Sequence, residues 1–343
     1  MKKGIIFSPK RITVLIIAFT IFMLVGCGFF GNVQPTDNEL ENSTEDLIVV
    51  GYSQIGSESV WRTANSVSIQ SALTTENGYF LMFSNARQKQ ENQIKAIRSF
   101  VSQRVDYIVF SPVTEDGWET VLQEAKEAGV PVILADRMVN VSDDSLYETW
   151  VGSNMREEGE KAGRWLEQYL KKKGRESEEI NIVVLQGTTG SSSQLGRTIG
   201  FDAIADQHKN WNILEQSSGD FTNAKGKEVM ESMLKKYEDI DVIVSQNDDM
   251  TFGAMEALDE KGLSYGVNGD IVIISFDAVY DALKMVSEGK INVDIECNPE
   301  QGEYISEIIQ KIENGETLEK KYYVDEQVFT IDNVNDVLEE RTY

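Results

Sequence analysis

The sequence predicts an α/β protein in two halves, each a doubly wound parallel sheet with helices on both faces. Three observations carry that expectation. Short β-branched apolar runs alternate with amphipathic helical stretches along most of the chain, which is the pattern of βαβ units. The second half echoes the first in architecture without repeating its residues. In each, a strand ends in a polar residue (Ser111, Asn247), a helix follows, and the next strand ends in Asp (Asp136, Asp277). Finally, 343 residues exceed one ordinary core.

The N-terminus speaks to the compartment. Lys2, Lys3, Lys10 and Arg11 precede an apolar run from Ile12 to Val25, the basic and hydrophobic regions of an export signal too short for a typical membrane span. The run closes on Leu24-Val25-Gly26-Cys27, which resembles the lipobox of bacterial lipoproteins. That resemblance implies cleavage of residues 1–26 and lipidation of the Cys27 thiol. Residues 27–46 are polar and aperiodic, the composition of a flexible tether.

The folded part opens with L-I-V-V-G-Y-S-Q-I-G-S-E-S-V-W-R, Leu47 to Arg62. Its apolar run reads as a buried strand, Ser53, Gly56 and Ser57 break it, and a helical pattern begins near Trp61. In open sheets such loops lie at the carboxyl ends of strands, where ligands bind. This one holds an acid (Glu58), an aromatic face (Trp61) and a guanidinium (Arg62), a set that suits a small polyhydroxylated ligand. Tyr79 to Phe83 supplies the second strand, and a helix around Gln90 to Val101 places Ile94, Ile97 and Val101 on one face. V-D-Y-I-V-F-S-P ends a strand at Ser111-Pro112. The next helix carries Val121, Leu122 and Ala125, Gly129 stops it, and V-P-V-I-L-A-D-R ends a strand at Asp136-Arg137.

The second series starts with I-N-I-V-V-L-Q-G, a strand followed by the loop from Gly187 to Gly196 and a helix from about Arg197. A short strand near Asn212, a helix around Val229 to Tyr237, and strands ending at Asn247 and Asp277 continue it. After Asp277 come a helix, the strand I-N-V-D-I-E and an amphipathic helix with Ile305, Ile308, Ile309 and Ile312. Y-Y-V-D-E-Q-V-F-T-I reads as one late strand.

Charge and residue usage narrow the function. A net charge of -25 argues against nucleic acid, whose phosphates demand a basic face. Two cysteines build no disulfide scaffold, a single histidine leaves little basis for a histidine zinc site, and no nucleophile elbow accompanies it for a Ser-His-Asp triad. The Gly187–Gly196 loop lacks the Gly-Lys-Ser/Thr ending of a nucleotide P-loop and reads as a strand-to-helix turn that points Arg197 towards a cleft. Asp248-Asp249 suits capping at a helix start better than a metal site. His208 reads as a surface residue and Cys297 as a free core or loop thiol. No metal or cofactor is expected.

The remaining polar strand ends have two readings. Trp61 is either core packing or an exposed stacking face for sugar C–H groups. Asp136-Arg137, Asn247 and Asp277 either line a cleft between the halves or form salt bridges and caps.

In this order, G-Y-S-Q-I-G-S-E-S-V-W-R, Q-K-Q-E-N-Q-I-K-A-I-R-S-F-V, P-V-I-L-A-D-R, L-Q-G-T-T-G, S-G-D-F-T-N-A-K-G-K-E-V-M-E-S and N-D-D-M-T-F-G-A resemble the periplasmic sugar-binding proteins of the ribose-binding type. These are solute receptors of ABC importers, and the likeness is strongest to the galactofuranose-binding members. The resemblance implies a two-lobed type I periplasmic-binding-protein fold with three hinge crossovers. The implied first lobe comprises 47–152 and 298–322, the second 153–297 and 323–343. It assigns ligand contacts to Glu58, Ser59, Trp61, Arg62, Asp136, Arg137, Arg197, Asn247 and Asp277, with Phe221 a weaker candidate. Asp136, Asn247 and Asp277 would accept from hydroxyls while Arg62, Arg137 and Arg197 donate. Val60 replaces a Gly of the galactofuranose receptors. Arg62 replaces an aromatic of the ribose receptors, and Glu296-Cys297 replace an amide there, so the implied ligand is not ribose.

The resulting expectation is a non-enzymatic, monomeric, lipid-anchored extracytoplasmic receptor. It would bind a monosaccharide, galactofuranose or a related aldose, and deliver it to an ABC permease by hinge closure. The alternative partner is a sensor kinase or chemoreceptor. Asp136→Ala or Arg137→Ala is expected to abolish binding with little loss of fold.

Overall fold

The computed structural model describes residues 47–343; the export signal, Cys27 and the tether lie outside them. In chain order the elements are β1 (Ile48–Gln54), α1 (Val60–Ala72), β2 (Tyr79–Asn85), α2 (Gln90–Gln103), β3 (Tyr107–Phe110), α3 (Glu119–Glu127), β4 (Val132–Ala135), β5 (Thr149–Gly152) and α4 (Met155–Lys173). The chain continues with β6 (Ile180–Gln186), α5 (Ser192–Ala205), β7 (Trp211–Ser218), α6 (Asn223–Lys236), β8 (Val242–Ser245), α7 (Asp248–Lys261), β9 (Val272–Asp277) and α8 (Tyr280–Ser287). It ends with β10 (Val293–Glu296), α9 (Gly302–Glu313), β11 (Lys321–Tyr323) and β12 (Val328–Phe329). Among these helices none is long and apolar enough to cross a membrane.

The strands form two six-stranded sheets, ordered β11-β5-β4-β3-β1-β2 and β12-β10-β9-β8-β6-β7. Every pairing is parallel except β10 with β12. Each sheet is buried on both faces, which is why its central strands read as unbroken apolar runs. In the first, Phe100 and Leu122 pack on one face while Ile69, Leu73, Ile305 and Ile309 cover the other. In the second, Leu166 and Phe201 lie on one face and Met230, Met250 and Leu283 on the other. Close approach depends on particular glycines: a Cβ at Gly51 would lie 2.5 Å from the Phe100 ring.

The chain passes between sheets three times: after Gly152, after Glu296 and after Tyr323. The last crossing corrects the late strand read as one piece from Tyr322 to Ile331. It is two short strands in different sheets: Tyr323 pairs with Gly152, and Val328 with Ile295. The connection is held at both ends, where Val324 N donates to Gly152 O at 3.1 Å and Gln327 N to Glu296 Oε2 at 2.8 Å. Helix α5 also begins five residues before Arg197, because Ser191 caps it by accepting from Gln194 N.

Helices α4 and α5 meet along a stripe of glycines. A Cβ at Gly159 would stand 2.2 Å from Arg197 O, and one at Gly200 would stand 2.0 Å from Arg156 O. Both clashes are with backbone, so neither is relieved by a rotamer change. Gly200→Ala is therefore expected to cost about 1–3 kcal/mol as an overpacked contact, read from the urea midpoint at unchanged slope.

Candidate functional site

The carboxyl-edge loops of the two sheets enclose a narrow cavity with about 20 Å³ of free space, little more than a water molecule needs. Its walls bring together all the residues expected from sequence: Glu58, Ser59, Trp61, Arg62, Asp136 and Arg137 from the first half, and Arg197, Phe221, Asn247 and Asp277 from the second. Sequence reasoning missed Met155 and Ser193 as wall residues, and Cys297 was expected in the core or a loop rather than here.

The first wall is built by the turn after β1. Ser59 Oγ accepts from Arg62 N at 3.0 Å and caps α1, so the guanidinium is aimed by the helix start. Buried Arg62 then bridges two acids, donating from Nη2 to Asp136 Oδ2 at 2.7 Å and from Nε to Glu58 Oε1 at 3.1 Å. Burial alone would discourage its charge, but Asp136 and Glu58 outweigh that and hold the proton firmly. Ser111 Oγ adds a 3.1 Å hydrogen bond to Asp136 Oδ2. Trp61 packs with the core of the opposite half and donates from Nε1 to Cys297 O at 2.5 Å, which fixes the ring plane. Trp61 is thus packed, as one sequence reading had it, and it also lines the cavity.

The second wall repeats the device. Arg197 donates from Nε to Glu158 Oε2 at 2.6 Å, from Nη2 to Asp277 Oδ1 at 3.2 Å, and from Nη1 to Gln246 O. Burial pushes the Asp277 carboxyl well above the usual carboxylate range, with Arg197 opposing it. Asn247 has structural work as well as a place in the cavity wall. Its Oδ1 accepts from Met250 N at 3.0 Å as the α7 cap, and its Nδ2 donates to Phe221 O at 3.2 Å. What it still offers the cavity is one amide hydrogen.

Asp136, Phe221 and Asp277 have φ of 60°, 60° and 110°, left-handed conformations that non-glycine residues reach only when the surroundings compel them. Trp150 Nε1 holds Asp136 O at 3.1 Å. Behind Asp277, Asp248 Oδ2 and Asp294 Oδ1 accept from Val279 N and Ala278 N at 2.9 and 3.2 Å. Asp248 also accepts from Ser275 Oγ at 2.5 Å. The expected capping role of Asp248 is thus taken by Asn247, and Asp248 braces the ligand loop instead. Asp249 reaches across the cleft, where its Oδ2 accepts from Val60 N at 3.2 Å.

Two buried polar atoms at this site have no hydrogen-bond partner among the described residues: Glu58 Oε2 and Arg137 Nε, the latter 3.9 Å from Asp136 Oδ2. Arg137 is otherwise anchored by Nη1 to Val113 O at 2.9 Å and lies over the Phe221 ring at 5.3 Å. Burial and the nearby Arg62 charge push it down to about 10. An acceptor and a donor, both dry and both unspent, are suited to a ligand whose groups donate and accept.

Two facing sheets with a closed polar cavity between them and three chain crossings beside it define a solute-binding protein. The chain belongs to the periplasmic binding protein domain family, whose pattern matches residues 50–317; its members are solute-binding proteins, not enzymes. It is 40% identical to the galactofuranose-binding protein YtfQ of Escherichia coli (strain K12) over 277 residues, 80% of this chain and 85% of that one. Among solved structures it resembles a Mycobacterium smegmatis protein in complex with β-D-fucofuranose, at 41% identity and a TM-score of 0.82 over 86% of this chain and 95% of that one. It also resembles the binding component of the arabinose ABC transporter of Shewanella sp. ANA-3, bound to L-arabinofuranose, at 40% identity and a TM-score of 0.80 over 86% and 95%.

The ion pairing separates two substitutions that the sequence treats alike. Asp136→Ala strips Arg62 of its shorter partner inside the protein and is expected to cost about 3–5 kcal/mol of stability. Arg137→Ala removes a charge that burial already disfavours and is expected to cost far less; paired denaturant titrations check the difference. A pH dependence follows from Asp294, which burial, reinforced by the Asp277 charge, pushes from 3.8 to about 7. The native state then holds a proton that the unfolded chain gives up near 3.8, so this contribution to stability falls as pH rises towards 7. Melting temperatures between pH 4 and 8 are expected to show that decline, and Asp294→Asn to flatten it.

Proposed function

We propose that this chain is the lipid-anchored, extracytoplasmic receptor of an ABC sugar importer and that it closes on a monosaccharide in furanose form, galactofuranose or a related aldose. The observation that carries this reading is the unspent pair in the cavity, Glu58 Oε2 and Arg137 Nε. Sugar hydroxyls both donate and accept, so one ligand satisfies an acceptor-only carboxylate and a donor-only guanidinium together. Asp277 and Arg197 provide the same pairing from the opposite wall. Trp61, its plane fixed by Cys297 O, offers a face for the ring's C–H groups, and Phe221 offers a second.

The named relatives support the ring form: one is a galactofuranose-binding protein, and two structures hold fucofuranose and arabinofuranose. Closure is supported by hydrogen bonds that bridge the cleft, from Val60 N to Asp249 Oδ2, from Glu115 N to Gly190 O at 3.0 Å, and from Met138 N to Ser192 Oγ at 3.0 Å. A buried sugar leaves only when these part, by movement of lobes 47–152 with 298–322 and 153–297 with 323–343 about the three crossings. Attachment to the membrane rests on the lipobox-like residues up to Cys27.

Calorimetric titration with galactofuranosides, arabinose, fucose, ribose and galactopyranosides tests the reading. Tight binding of a galactofuranose form is expected. Tight binding of another sugar keeps the receptor and moves the substrate; silence from folded protein overturns it. Arg137→Ala is expected to weaken the bound sugar about 100-fold, the loss of a charge-assisted hydrogen bond worth about 3 kcal/mol. In cells, Cys27→Ser is expected to shift the protein from the membrane to the soluble extracytoplasmic fraction.

A further inference from the structure

The three crossings converge on a cluster behind the cavity wall whose side-chain donors the sugar reading leaves unused. Glu158 stands in the first turn of α4, just past the first crossing. Cys297 follows β10 in the second, and Glu326 lies between β11 and β12 in the third. One donor atom from each lies within 4.8 Å of the other two. Cys297 is a free, buried thiol whose Sγ is 3.2 Å from Ser153 Oγ. Glu326 Oε1 accepts from Asn298 N at 3.1 Å.

Glu158 supplies the observation that points to a ligand. Its side chain is fully buried, Oε2 is held by Arg197, and Oε1 has no partner among the described residues. Acidic groups also outnumber basic ones around it. Three carboxylates (Glu158, Glu326 and Asp277) meet one buried guanidinium, Arg197, which Glu158 and Asp277 already share. Lys161 is near but partly exposed, and it faces Glu157 at 3.7 Å.

We propose that Glu158, Cys297 and Glu326 form a divalent-cation site of the zinc type that ties the three crossings together. A thiolate with two carboxylate oxygens is a borderline-soft donor set, which suits zinc and disfavours calcium and magnesium. At zinc bond lengths of about 2.0–2.3 Å, tetrahedral donors stand roughly 3.3–3.7 Å apart. From separations within 4.8 Å the cluster closes on the ion by a contraction of no more than about 1.5 Å, and Ser153 Oγ is at hand as a fourth donor. As the sulfur–metal bond forms, the Cys297 proton leaves to solvent.

The test is a Co²⁺ titration of the reduced, chelator-treated full chain, followed by displacement with Zn²⁺. The expected result is a thiolate-to-cobalt charge-transfer band that saturates at one equivalent and is bleached by zinc. It is lost in Cys297→Ser and Glu326→Gln and kept in Cys27→Ser. Circular dichroism establishes that each variant is folded. A folded wild-type chain with no band, or a band that survives Cys297→Ser, overturns the proposal; protons rather than a cation then neutralise the cluster.

Discussion

Two buried arginines, one in each half, set the terms for the cavity. Arg62 is clamped between Asp136 and Glu58, and Arg197 between Glu158 and Asp277. A guanidinium out of water is tolerated only when its charge and its donors are matched, and its five N–H groups lie in a fixed planar fork. Each arginine therefore dictates where two carboxylates sit. Those carboxylates come from different elements: an α1 turn and the end of β4 on one side, α4 and the end of β9 on the other. The pairs determine the positions of both walls before any ligand is considered. A polar site built this way reorganises little when a ligand enters, which keeps the entropic cost of binding low.

Backbone strain is the second constraint. Asp136, Phe221 and Asp277 all stand at positive φ on the cavity wall, and conformations of this kind cost about 1–3 kcal/mol each unless the surroundings compensate. The compensation is specific. Trp150 holds the Asp136 carbonyl, Asp248 and Asp294 hold the two amides after Asp277, and the Phe221 ring fills space that only a glycine at 187 leaves open. A Cβ on Gly187 would lie 1.8 Å from that ring. The strained residues thus depend on buried acids and a glycine that never face the cavity.

This division explains what could be read from the sequence. The αβ alternation was legible because strands buried on both faces are continuous apolar runs, and polar residues interrupt them only where the cavity begins. Hence Asp136, Asp277 and the Glu58–Arg62 turn could be named from sequence, and the structure brings them together. The late segment was not legible. Three residues of β11 and two of β12 have one strand-like composition, and only pairing with β5 or β10 separates them. Asp294 and Glu158 were equally hidden, since an acid in a strand or a helix start carries no local mark of a partner far away in sequence. For Asn247 the sequence left a cleft lining and a cap both open, and the structure shows the cap on a residue that also lines the cavity.

The same physics accounts for closure on the proposed reading. The contacts that bridge the cleft are few, backbone amides donating to one carbonyl and two side chains, each worth only about 1 kcal/mol net. Against them, shutting the empty cavity removes Glu58 Oε2 and Arg137 Nε from water with nothing in exchange, a penalty of about 1–3 kcal/mol for each group. The two terms are comparable, so the empty protein has no strong preference for the shut form. A sugar that pairs both orphans changes the sign of the penalty and shifts the population towards closure. An analogue lacking the matching hydroxyl leaves one orphan in place and forfeits most of that shift. Selectivity and closure therefore draw on the same two atoms.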